Sequence, residues 1–247
     1  MNANRSPEDR RLSFSQSELE RWCSERRALE GAALLRAVAR EPRLGPFALL
    51  SSFGVDAAVS LQLLAEGAPE IPVLFIDTGY HFAETLAYRD LLVARLGLEL
   101  QVISPAREAA GATSELWRSD PARCCRLRKA APLQRALRGY RSWATGRRAG
   151  QTRARAALET LELHEDGRLR VNPIAHWSEE KLQRYKQSRG LPPHPLYARG
   201  YRSIGCAPCT SRVQRGEEAR AGRWRGDERE ECGIHLVSIT ERAASEG

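Results

Sequence analysis

The stretch Phe47–Ala65, FALLSSFGVDAAVSLQLLA, changes character twice. FALLSS (47–52) is a short apolar run of strand length, FGVD turns the chain, and Ala57 to Ala65 reads as a helix. The pattern then repeats. IPVLFID (71–77) is a second strand ending in TGYHF, a helix runs from about Ala83 to Leu96, and LELQVIS (98–104) is a third strand. Strand–helix–strand–helix–strand at this pitch predicts an α/β fold built on a doubly wound, mostly parallel sheet. Ligands of such sheets bind at the carboxyl ends of the strands, which here are SSFGVD and DTGYHF.

Working outward, residues 15–41 carry Leu19, Trp22, Cys23, Leu29, Leu34, Leu35 and Val38 at helical spacing, ending before Pro42. Residues 120–139 predict a helix opened by Asp120-Pro121 and bearing Cys124-Cys125 in its first turns. RSWATG (141–146) reads as a strand, followed by the basic loop RRAGQTRAR. A hairpin is expected around Asp166-Gly167 and a helix over 178–189. A Pro/Gly-rich loop then leads through GCAPCT to a polar, charged tail. The expected organisation is an N-terminal helical segment (1–45), an α/β domain with two cysteine pairs (46–210) and a mobile Arg-rich tail (211–247).

The chain has 247 residues, 42% hydrophobic and 28% charged, enough for a sizeable core and too apolar for wholesale disorder. No apolar run approaches the roughly 20 residues of a membrane span, and the N-terminal residues carry no apolar signal core. The expectation is a cytoplasmic protein without a membrane partner. Lys plus Arg total 39 against 31 acidic residues, a net charge of +8 that favours anionic partners. Charge alone does not choose among them.

Of six cysteines, Cys23 lies on the apolar face of its helix and reads as a small buried hydrophobe. Cys124-Cys125 and Cys206-x-x-Cys209 form two pairs, and in a reducing compartment clustered thiols point to metal or redox chemistry. Soft thiolates select zinc or iron–sulfur clusters. Adjacent cysteines are awkward around one small ion, whereas a cubane offers iron corners several ångströms apart. A 4Fe–4S cluster is therefore favoured, with zinc and unliganded thiols as alternatives.

Ser51-Ser52-Phe53-Gly54-Val55-Asp56 sits between strand and helix, where backbone N–H groups and the helix dipole make an anion site or, more blandly, a cap. It resembles the PP-loop of ATP pyrophosphatases, with Phe53 at the usual second Gly and Ala57 at the usual Ser. That alteration implies an adenylated substrate held without ATP cleavage. Cys232 lies in an Arg-rich tail, where neighbouring cations favour the thiolate. An incidental cysteine in a solvated tail is the plainer alternative.

Together SSFGVDAAVSLQLL, IDTGYHFAET, CCRLRK, WATGRRAGQTRAR, GCAPCT, GRW and ECGIH, in that order, resemble the assimilatory sulfonucleotide (APS and PAPS) reductases from about Phe47 to His235. Ala83 stands where that family usually has Pro, Ala149-Gly150 where a basic and an acidic residue follow Arg148, and Arg229 where Lys is common. The resemblance implies Cys232 as nucleophile, with an enzyme S-sulfocysteine intermediate resolved by thioredoxin or glutaredoxin. It implies Cys124, Cys125, Cys206 and Cys209 as ligands of one 4Fe–4S cluster, with Lys129 beside it, one turn beyond Cys125. Ser51, Ser52 and Gly54 match the phosphate-side loop, Arg148, Gln151 and Arg155 a second basic loop, and Arg215, Arg220 and Arg223 a closing tail segment. Four cluster cysteines favour APS as the small-molecule substrate, while the SSFGVDAAVSLQLL loop is closer to the PAPS enzymes. An iron–sulfur PP-loop tRNA thiolase would have an intact SGGxDS loop, against which Phe53 and Ala57 speak. A zinc-bearing nucleic-acid module would leave Cys232 unexplained. No nucleic-acid partner is expected, and the oligomeric state, a homo-oligomer included, is left open.

Overall fold

A computed structural model describes residues 14–106, 115–164, 166–225 and 231. Cys232 and its neighbours Arg229 and His235 lie outside the described residues.

The described chain opens with α1 (Gln16–Arg26) and α2 (Gly31–Ala39), then enters β1 (Phe47–Leu50). Alternation with helices follows: α3 (Ala57–Gly67), β2 (Val73–Ile76), α4 (Ala83–Leu96) and β3 (Leu100–Ile103). The expected single helix over 15–41 is two, because the chain leaves the helix after Arg26 and re-enters at Gly31 with φ +55°, in the left-handed region. Beyond β3 come α5 (Leu116–Ser119), α6 (Pro121–Cys125), a π turn (Arg126–Ala130) and α7 (Ala131–Leu137). They lead to β4 (Ser142–Thr145), the hairpin of β5 (Leu161–Leu163) and β6 (Leu169–Val171), and α8 (Glu179–Ser188).

The six strands lie in the order β3-β2-β1-β4-β6-β5, all neighbours parallel except the β5–β6 pair. This is the doubly wound, mostly parallel sheet expected from the repeating pattern. Strands β1, β2 and β4 are buried along their whole length, as parallel strands covered on both faces must be. Side chains alternate between two cores. Phe47, Leu49, Val73, Phe75 and Ala144 pack with Leu34, Leu35, Leu61, Leu64 and Leu92 from α2, α3 and α4. Ala48, Leu50, Leu74, Ile76 and Trp143 face the other way, onto Leu133 and Leu137 of α7.

From β1 the chain winds outward through β2 and β3, then crosses back to place β4 on the other side of β1, with Leu50 beside Thr145. Strand order reverses there, so the loops leaving β1 and β4 diverge and open a crevice at their carboxyl ends. No helix among the described residues is long and apolar enough to cross a membrane.

Candidate active site

The crevice is a cleft of about 1230 Å3, its floor made by Leu50, Ser60, Thr145 and Gly146. Ser60 is buried with its Oγ unpartnered, and a Cβ at Gly146 would lie 2.6 Å from that oxygen. Gly146 therefore keeps the two elements close at the strand crossover. One wall is the Ser51–Asp56 loop, in which the Phe53 N–H donates to Ser51 Oγ at 3.2 Å. Phe53 adopts φ +50°, the left-handed conformation that favours glycine, and its fully buried ring meets Phe75 edge-on at 5.5 Å. Gly54 approaches the Ile204 carbonyl so closely that a Cβ would lie 3.3 Å from it.

Asp56 ends this loop against Lys186 at 2.8 Å and Arg148 at 3.1 Å. Burial disfavours its charge, yet those two cations outweigh the burial and hold Asp56 below the usual carboxylate range. Arg148 lines the cleft but directs one nitrogen to both Asp56 and Glu179, the latter at 2.8 Å. Its neighbour Arg147 is buried against Glu162, which also pairs with Arg170 at 2.8 Å and ties the hairpin to β4.

The second basic loop carries Gln151 and Arg155. Gln151 Oε1 accepts from the Arg148 N–H at 3.1 Å and from Arg155 Nη1. Arg155 is buried and grips Glu231 with two nitrogens, Nε at 2.6 Å and Nη2 at 2.7 Å, while Thr152 Oγ1 donates to the same carboxylate at 3.0 Å. Burial works against the Glu231 charge, and Arg155 beside it prevails, holding that carboxyl below the usual range.

All four paired cysteines line one smaller cavity with Thr78, Tyr80, Arg128 and Lys129. The DTGYHF loop joins the two cysteine segments. Thr78 Oγ1 lies 3.1 Å from Cys206 Sγ, Arg128 Nη1 donates to the Thr78 carbonyl at 2.9 Å, and the Ala207 N–H donates to the Tyr80 carbonyl at 2.7 Å. Burial, then the nearby Cys206 and Cys209 thiols, push the Cys124 thiol up, while Arg128 and Lys129 pull the other way. The donor set is all sulfur and suits a soft metal. Among the described residues, no three His, Cys, Asp or Glu gather closely enough to hold one ion. Four sulfurs around one cavity fit the all-thiolate ligation of an iron–sulfur cluster or of zinc.

Lys129, Thr78 and Cys206 border both cavities. Lys129 reaches this wall through the π turn, in which the Ala131 N–H bonds back to the Arg126 carbonyl. Pro132 supplies no N–H, and its ring would strike the Arg128 carbonyl in a continuing α-helix, so the helix expected over 120–139 widens there. Across this turn Cys125 and Lys129 both line the smaller cavity.

Residues 211–225, assigned from sequence to the tail, fold back on the cysteine loop. Thr210 bridges to Arg223, the Trp224 N–H donates to the Cys209 carbonyl at 3.2 Å, and Trp224 is buried at φ +49°. Arg220 and Arg223 thereby line the cleft, whereas Arg215 is exposed and outside it. A Cβ at Gly205 would lie 2.4 Å from Arg223 Nη2, so glycine makes room for that guanidinium. The structure thus brings Ser51, Ser52, Gly54, Lys129, Arg148, Gln151, Arg155, Arg220 and Arg223 to one cleft. Sequence reasoning missed Ser60, Thr152, Arg153, Arg202 and Glu231. The Arg-rich spelling of 153 and 202 was the available signal for two of them.

Fold and cleft define a doubly wound α/β protein with an arginine-rich cleft at the strand switch point. Comparison with known proteins sharpens this. The phosphoadenosine phosphosulfate reductase domain matches residues 46–212. An adenosine 5'-phosphosulfate reductase of Mesorhizobium japonicum is 45% identical over 221 residues, covering 86% of this chain and 87% of that one. The enzyme of the same name from Streptomyces coelicolor is 41% identical, covering 85% and 91%. The crystal structure of a phosphoadenylyl-sulfate reductase from Candida auris superposes with a TM-score of 0.67 at 27% identity, over 81% of this chain and 98% of that one. A Candida glabrata FMN adenylyltransferase, at TM-score 0.55 and 16% identity, shares the fold. The chain belongs to the phosphoadenosine phosphosulfate reductase domain family and is an oxidoreductase of the sulfonucleotide class.

Proposed function

We propose that the protein reduces adenosine 5'-phosphosulfate to sulfite and AMP, with Cys232 as nucleophile. The observation carrying this reading is the wall of Lys129, Thr78 and Cys206 common to the nucleotide cleft and the four-thiol cavity. The Cys232 thiolate attacks the sulfonate sulfur, the S–O bond to the phosphate breaks, and AMP leaves with the electron pair. The enzyme then carries Cys–S–SO3−. A dithiol of the thioredoxin or glutaredoxin type attacks the Cys232 sulfur and expels sulfite. Its second thiol resolves the mixed disulfide, so the dithiol is oxidised by two electrons as sulfur falls from the sulfate to the sulfite state.

Ser51, Ser52, Gly54 and the N-terminus of α3 receive the phosphate side, and Lys129, Arg220 and Arg223 face the sulfonate as charge shifts to the leaving phosphate. Cys124, Cys125, Cys206 and Cys209 would hold a 4Fe–4S cluster, whose cationic iron–sulfur core would offset part of the charge of the four thiolates beside the cleft. Arg148 acts through Asp56, fixing the phosphate-side loop, and Arg215 contributes to the field outside the cleft. The adenosine 5'-phosphosulfate relatives, at 41–45% identity, favour that nucleotide over its 3'-phosphorylated form.

The test is a mass spectrum of protein incubated with each nucleotide without reductant. A sulfite-sized adduct with adenosine 5'-phosphosulfate, lost in Cys232→Ser, is expected. No adduct with either nucleotide would overturn the reading.

A further inference from the structure

The arginines of the cleft divide by whether a carboxylate already holds them. Those of the second basic loop are committed: Arg147 pairs with Glu162, Arg148 with Asp56 and Glu179, and Arg155 with Glu231. Arg202 is different. It lines the same cleft and is exposed, and among the described residues its guanidinium meets only an aromatic face, that of Tyr197, 4.2 Å from the ring centroid. A guanidinium stacked on a ring keeps its edge of N–H donors free for the two oxygens of a phosphate.

Tyr197 is a firm platform. Its N–H donates to the His194 carbonyl at 2.9 Å, and its own carbonyl takes the Gly200 N–H at 3.1 Å. His194 is buried and ties this turn to α4, with Nδ1 accepting from the Leu196 N–H at 3.1 Å and Nε2 lying 3.1 Å from Thr85 Oγ1. From Arg202 the chain runs along the cleft through Ser203, Ile204 and Gly205 to Cys206. A Cβ on Gly54 would lie 3.3 Å from the Ile204 carbonyl, so Arg202 stands two residues from the point where this segment meets the phosphate-side loop.

We propose that Arg202 is a further substrate-binding residue, which takes the nucleotide's 5'-phosphate together with the Ser51–Gly54 loop. The proposal rests on the cleft holding a sulfonucleotide. It supplies the guanidinium that Arg148 and Arg155 do not offer while their carboxylates hold them. AMP and adenosine 5'-phosphosulfate share that phosphate, whereas the sulfonate belongs to one of them alone.

The experiment is calorimetry of AMP and, in a Cys232→Ser background, of adenosine 5'-phosphosulfate, on Arg202→Gln with Arg199→Gln as the charge control. Arg199 is exposed in the same turn and pairs with Glu84. Arg202→Gln should weaken both nucleotides equally, by about 10- to 150-fold, the range of one charged hydrogen bond, while Arg199→Gln binds as wild type does. The loss should survive about 1 M salt, where the screening length is about 3 Å. AMP held by Arg202→Gln as tightly as by wild type overturns the proposal. So does a loss confined to adenosine 5'-phosphosulfate, which would move Arg202 to the sulfonate. A loss shared by Arg199→Gln, or erased by salt, leaves a rim charge only and overturns it too. A wild type that binds AMP yet forms no sulfite adduct ends the reduction reading, and Arg202 is then judged on AMP; a wild type that binds neither nucleotide ends both.

Discussion

Phe53 separates what a loop's backbone requires from what its sequence spells. A related PP-loop has glycine at this position, and the chain keeps the left-handed φ of +50° while replacing the residue. An L side chain there costs about 1–2 kcal/mol, offset by a fully buried ring packed on Phe75. Phe53→Gly should relieve the strain yet empty the pocket, where loss of a buried Phe side chain costs about 3–5 kcal/mol. A net loss of about 2 kcal/mol in urea unfolding is expected; unchanged stability would mean that strain dominates. Gly205→Ala tests the opposite case. The added methyl meets the far end of Arg223, which can swing away, so the melting temperature should hold. Adenosine 5'-phosphosulfate binding, measured by calorimetry in a Cys232→Ser background, should weaken by about 1.5–3 kcal/mol, the contribution of a charged hydrogen bond. The phosphate-side serines and paired cysteines were legible in the sequence because each is placed by a local motif. Arg148, Arg155 and Arg215 were not separable from one another there. Their partners Asp56 and Glu231 lie far off in the chain, and an arginine's spelling says nothing of which anion it meets.

At the scale of elements, the π turn is the departure that matters. Apolar spacing over 120–139 reads as one helix, and the strands and helices between Phe47 and Ile103 were read to within a few residues. Pro132 was visible, but its effect depends on whether a helix ends, kinks or widens, and tertiary packing decides that. Here Leu133 and Leu137 must reach the sheet while Cys124, Cys125 and Lys129 face the cavities, and an extra residue per turn reconciles the two phases. Pro132→Ala restores the N–H that a regular helix needs. The variant should be as stable as wild type or more so, with slower sulfite-adduct formation because Lys129 rotates from the common wall. An unaltered rate would show that Lys129 finds its place without the turn.

At the scale of the molecule, three carboxylates tie distant segments together: Asp56 to α8 and the second basic loop, Glu162 to β4 and β6, and Glu231 to Arg155. In each, burial opposes the charge and adjacent cations overcome it, so the folded pKa lies below the ordinary value. Such groups stabilise the fold above their unfolded values, about 3.9 for Asp and 4.3 for Glu. That stability is lost as pH falls through the folded values. Urea midpoints should therefore be level near neutrality and drop below about pH 4, with a shallower acid limb in Asp56→Asn. Residues 211–225 add another long-range tie, since the strip that carries Arg220 and Arg223 is stitched to the Cys206–Cys209 loop by Thr210, Cys209 and Trp224. Air that strips inorganic sulfide and iron from the proposed cluster would loosen the stitching before the sheet itself gave way. Oxidative damage would then surface first as fresh protease nicks beyond Ser211, in a protein whose far-ultraviolet spectrum still looked native.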